Sequence, residues 1–106
     1  MIQGLRTVAV LLLAASIAGP AFAQAPGADT YKAKCAMCHG ADGLAATPMA
    51  KNLKVLSFKD PAMVNAPDAQ FIASTTNGKN KMPAYKGKLT DAQIKDVISY
   101  IRTLQK

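Results

Sequence analysis

The sequence predicts a small all-α domain of three to five helices, and three observations carry that reading. The last segment, LTDAQIKDVISYIRTL, places Ile94, Val97, Ile98, Ile101 and Leu104 at helical spacing behind a Thr90–Gln93 capping box. Helix-start signals recur upstream, at Asp29, at Asp60–Pro61 and at Pro67. No stretch shows a convincing strand pattern. MAKNLKVLSFKD is too short for periodicity to decide, and it is read as holding a helical turn rather than a strand.

Taken in order, residues 1–23 read as a secretory signal peptide. Arg6 supplies the positive region, TVAVLLLAASIA the apolar region, and AFA the small residues before a cleavage at Gln24. The apolar run is about 12 residues, where a membrane span needs roughly 20. Residues 24–106 are then the mature domain, with no stable membrane insertion expected after cleavage. The first helix is expected after Asp29 as N-cap and runs through TYKAKCAMCH to Gly40. HGADGLAATP is loop, punctuated by Gly40, Gly43 and Pro48. Helical starts at Asp60–Pro61 and at Pro67 follow, with Phe71 and Ile72 as buried candidates and Asn77–Gly78 as the stop. KNKMPAYKGK reads as an extended, lysine-rich loop before the final helix.

The full chain carries 13 Lys plus Arg against 6 Asp plus Glu. Losing Arg6 leaves 12 against 6, about +6, which implies acidic partners or anionic surfaces. An exported chain without a nucleic-acid motif points away from DNA and RNA. Eighty-three residues are few for a self-sufficient core, and two cysteines allow one disulfide at most. Some other staple is wanted.

AKCAMCHGADG holds both cysteines and the single histidine of the chain. Cys35, Cys38 and His39 stand at i, i+3 and i+4, which puts them on one face of a helix. A flat ligand against that face can bond to both sulfurs and take the imidazole at its centre. This is the C-x-x-C-H pattern of c-type haem attachment: two thioethers to the vinyl groups, and His39 as proximal iron ligand. A redox dithiol needs a βαβ context, which is missing. A structural zinc site needs four ligands, and no further Cys or His exists. A covalently held haem is also a large apolar plate around which so short a chain can pack.

A second axial ligand has to come from elsewhere, and a methionine thioether is the usual donor in the absence of another histidine. Met1 leaves with the signal peptide, and Met37 sits inside the motif. Met49, Met63 and Met82 remain. Met49 is only ten residues past His39, and Met63 falls in a helical turn. Met82 stands on an irregular loop before Pro83, which fixes φ, and is the favoured ligand.

YKAKCAMCHGADG, NGKNKMPAY and LTDAQIKDVISYIRTL together resemble a bacterial class I cytochrome c, of the short single-haem type that includes the soluble photosynthetic cytochromes. The resemblance covers nearly all of residues 24–106. It implies the small class I cytochrome c fold around one covalently bound haem c, with Met82 as the methionine ligand. It implies that the first and last helices cross, with Gly27 and Tyr31 meeting Tyr100. It also implies that a proline carbonyl, at Pro48, holds the other ring nitrogen of His39. The tryptophan that holds a haem propionate in some relatives is absent; Lys51, Asn52 and Lys54 are the candidates for that role. Tyr85 and Tyr100 read as packing residues.

With both axial positions filled, the expected activity is one-electron transfer between redox proteins with acidic docking surfaces, by a monomeric periplasmic carrier rather than an enzyme. Lys79, Lys81, Lys86 and Lys88 flank Met82 and are the expected docking charges. The alternatives are an open-coordination haem sensor or peroxidase-like protein, and a fixed cytochrome subunit of a larger dehydrogenase or oxidase.

Overall fold

The computed structural model describes residues 25–106; the expected signal segment lies outside them. Six helices are present among the described residues: α1 (Ala28–Lys34), α2 (Ala36–His39), α3 (Pro48–Asn52), α4 (Pro61–Val64), α5 (Asp68–Asn77) and α6 (Asp91–Leu104). The all-α expectation holds. The number exceeds five because α2, α3 and α4 are single turns, and because the first expected helix is two.

α6 is the backbone of the core. Thr90 accepts from the Gln93 amide, and the Gln93 side chain accepts from the Thr90 amide, so the capping box is closed at both ends. Ile94, Val97, Ile98 and Ile101 are buried, each contributing roughly 1.5–3 kcal/mol of gross hydrophobic stabilisation. They face α1 on one side and α5 on the other. Tyr31, Phe58, Phe71, Val97, Ile98 and Ile101 form the centre of the core.

α1 begins two residues earlier than expected. Gly27, not Asp29, is its N-cap, at φ 87°. The reason is tertiary. A Cβ on Gly27 would lie 2.7 Å from the amide nitrogen of Val97, so only glycine lets α1 press this closely on α6. Asp29 is left in the first turn, where its carboxylate complements the helix dipole. Tyr31 then meets Tyr100 with ring centroids 5.3 Å apart at 55°, so the expected crossing is present.

The helix breaks at Cys35. In a continuous helix the Cys38 amide would donate to the Lys34 carbonyl. Here it donates to Cys35 instead, at 3.2 Å, as does the His39 amide at 3.0 Å. The Lys34 carbonyl accepts from the Tyr85 hydroxyl at 2.9 Å.

Thr47 caps α3 by accepting from the Ala50 amide, and Pro48 occupies its first turn. Asp60 caps α4 through the Ala62 amide, with Pro61 next, as expected. Pro67 precedes α5 and Gly78 ends it; Phe71 is buried, while Ile72 is only partly so. Arg102 ties this half to α6. Its Nε is 2.9 Å from Asp68 Oδ1, it donates to the Ala66 carbonyl, and its guanidinium lies 4.5 Å from the Phe71 ring centre.

Candidate haem site

The core leaves one side open. A cavity of about 310 Å³ runs from α1 and α2 to the loop after α5, within the size range of small-molecule and cofactor sites, ~300–1,000 Å³. Cys35, Cys38 and His39 form one wall. Met82, Pro83 and Tyr85 come from the loop opposite in sequence. Phe58, Phe71, Val97 and Ile101 form the apolar floor. The expected residues Cys35, Cys38, His39 and Met82 are therefore brought to one space, although Met82 is 43 residues from His39.

Each is positioned by local structure. Cys35 sits at the α1–α2 break, and Cys38 and His39 follow on the single turn of α2. Gly40 ends that turn. The Tyr31 hydroxyl donates to the Gly40 carbonyl at 2.6 Å, which fixes the end of α2 against α1. Burial raises the Tyr31 phenol well above its usual range and keeps it a donor. Met82 stands on a tight turn. Its amide donates to the Lys79 carbonyl at 2.9 Å and its carbonyl accepts from the Lys79 amide at 3.1 Å. A Cβ on Gly78 would lie 2.8 Å from that Met82 carbonyl, so glycine is needed beneath the turn.

The two cysteines are free thiols. Burial, with Cys38 beside it, pushes the Cys35 thiol up to about 11. That is the reverse of an activated redox dithiol, whose attacking thiol is lowered. Among the described residues no group of three His, Cys, Asp or Glu is arranged to hold a metal ion by itself. Cys35, Cys38 and His39 line a wall rather than close on a point.

Burial lowers the pKa of His39 below its ordinary value, which favours the neutral imidazole, the form that binds a metal. The ring stacks on Phe58, with centroids 4.6 Å apart and 17° between planes. Its Nδ1 is buried without a hydrogen-bond partner. The expected bond to the Pro48 carbonyl is thus not formed. Pro48 starts α3, and a carbonyl in a first helical turn points along the axis toward the residue four ahead.

The three candidate methionines separate. Met49 is 42% exposed; it touches the motif, 3.6 Å from Cys38 Sγ, but does not line the cavity. Met63 does line it, from α4, and packs against the core. Met82 lines it from the loop. Of the three propionate candidates, Lys54 lines the cavity and Lys51 and Asn52 do not. Lys79 and Lys81 reach the cavity as expected. Lys86 and Lys88 are exposed on the same loop without lining it. Lys34 joins the rim and was not anticipated, because only the fold brings the end of α1 there. Phe58 was missed for the same reason: nothing near it in sequence marks its stack on His39.

The residues fit a haem c. An apolar cavity is lined by two free thiols, a histidine that burial favours in its neutral form, and a thioether donor. Comparison with known proteins agrees. Residues 22–101 match the family described as cytochrome C oxidase, cbb3-type, subunit III. Cytochrome c6 of Nostoc sp. is 43% identical over 75 residues, 71% of this chain and 65% of that protein. The cytochrome c subunit of a quinone-dependent alcohol dehydrogenase of Gluconacetobacter polyoxogenes is 35% identical over 88 residues, 76% of this chain but 19% of that protein. A solved c-type cytochrome, KustC0563, superposes with a TM-score of 0.70 at 28% identity, covering 76% of this chain and 98% of its own. A matching family, cytochrome c6 relatives, a shared fold and a C-x-x-C-H face on an apolar cavity lead to one conclusion: the chain belongs to the cytochrome c family, as a small class I cytochrome with one covalently bound haem c.

Proposed function

We propose that this cytochrome is a monomeric periplasmic electron shuttle, exported by residues 1–23 and working as residues 24–106. Cys35 and Cys38 would hold the haem through thioethers, and His39 and Met82 would bind its iron. The observation that carries the reading is that these four side chains line one apolar cavity although Met82 lies 43 residues past His39 in sequence. The haem supplies a reversible one-electron couple. The protein's part is to hold both axial donors in place, exclude water and leave an approach for a partner. Phe58, Phe71 and Ile101 keep the floor dry. The Lys79–Met82 turn holds the thioether donor on a short, doubly bonded span. Lys34, Lys54, Lys79 and Lys81 give the mouth a positive rim, suited to acidic redox proteins.

Redox titration and carbon monoxide test this together. The holoprotein should titrate as a one-electron couple, and its reduced form should not bind carbon monoxide at neutral pH. Immediate carbon monoxide binding by the native protein would instead favour an open-coordination sensor or peroxidase-like role.

A second reading has its own support. The matching family description and the alcohol dehydrogenase relative both name subunits of larger enzymes. A fixed subunit would co-purify with its oxidoreductase from native membranes, whereas a shuttle would be released with the soluble periplasmic fraction.

A further inference from the structure

The loop that carries Met82 is tied to the helix that carries Cys35 by one side chain. Tyr85 lies three residues past Met82, and its hydroxyl donates to the Lys34 carbonyl at 2.9 Å across 51 residues of sequence. That carbonyl is the last of α1, the one left over when the Cys38 amide turns to Cys35. Tyr85 thereby caps a helix end and closes the loop over the cavity at once. The rest of the loop is held at its base. The Tyr85 amide donates to the Thr75 carbonyl at 2.9 Å, and the Lys86 amide to Thr76 at 3.0 Å, both at the end of α5. The segment 79–84 between these ties is exposed except at Met82. Its attachment to α1 therefore depends on the phenol.

We propose that Tyr85 is a positioning residue for the axial methionine: its hydroxyl holds the Met82 loop in the closed state and so sets how readily another ligand displaces Met82 from the iron. This rests on the axial role of Met82 given above. Displacing Met82 requires the loop to swing off the cavity, which breaks the Tyr85–Lys34 bond. Removing the hydroxyl removes that resistance and leaves the ring to fill its place. Population shift then raises the apparent affinity of any competitor by the factor the closed state loses.

Imidazole binding to the ferric holoprotein tests this. Tyr85→Phe should bind imidazole about fivefold to tenfold more tightly than the native protein, the size expected of one hydrogen bond. Thr103→Ala, which removes a hydroxyl bond to the Tyr100 carbonyl on α6 and leaves the loop ties intact, should bind it as the native protein does. The sulfur–iron absorption of the Tyr85→Phe protein should remain before imidazole is added. Native imidazole affinity in Tyr85→Phe, with Met82→Ala binding imidazole freely, would overturn the role of Tyr85 and leave Met82 as ligand. Native affinity and spectrum in Met82→Ala would overturn both. An equal rise in Thr103→Ala and Tyr85→Phe would show general loosening and overturn the specific role.

Discussion

Tyr31, 1% exposed, donates its phenolic hydrogen to the Gly40 carbonyl at 2.6 Å, joining the helix that crosses α6 to the residue that follows His39. Core packing and the haem-attachment turn are thus linked through one bond. Tyr31→Phe keeps the ring contacts to Phe58 and Tyr100 and strands the buried carbonyl. Stability of the holoprotein should fall by about 1–3 kcal/mol in denaturant titration. For a domain of this size each 1 kcal/mol corresponds to roughly 4–8 °C in Tm. No change in either would show that the bond does not hold the turn.

The thiol pair should be needed for covalent attachment. Replacing Cys35 and Cys38 by Ala, with the haem-attachment machinery co-expressed, should give a protein that loses haem in denaturing electrophoresis. Haem that still migrates with the double variant would contradict the assignment of both thioethers.

The positive mouth predicts a salt-sensitive encounter. Lys79 and Lys81 line the cavity, while Lys95 and Lys106 are exposed on or beyond α6. At physiological salt the Debye length is roughly 8 Å, so the steering charges are largely screened there. The second-order rate with an acidic redox partner should fall steeply as salt rises. Lys79→Glu with Lys81→Glu should slow it at low salt and leave the potential nearly unchanged; the same changes at Lys95 and Lys106 should matter less. A rate flat in salt, or a larger effect from the second pair, would contradict docking at the mouth.

Local chemistry made much of this molecule legible in its sequence. The Thr90–Gln93 box, Asp60–Pro61 and Pro67 act within one turn, so each start was readable without the fold. Thr47–Pro48 is the same kind of signal, an N-cap oxygen before a proline; the helical turn expected in MAKNLKVLSFKD is α3, which begins one residue earlier, at Pro48. What sequence could not convey was long-range. Nothing in YKAKCAMCH marks the break at Cys35, because the Lys34 carbonyl finds its partner 51 residues later. Asp29 has the right chemistry for a cap, yet the contact of Gly27 with α6 decides where α1 begins. Cys35, Cys38 and His39 were marked as one face by spacing alone, and all three line the cavity. Phe58 and Lys34 acquire their places only from folding. Met63 reached the cavity and Met49 did not, a distinction their flanks do not express.

The central claim is that Met82 completes the axial pair with His39, and the absorption spectrum of the ferric holoprotein tests it most directly. The native protein should show the weak band at the red edge of the visible spectrum that reports sulfur bound to iron(III). Met82→Ala should abolish it and open the reduced iron to carbon monoxide, while Met63→Ala and Met49→Ala should retain it. A band that survives in Met82→Ala, or that vanishes in Met63→Ala alone, would contradict the account.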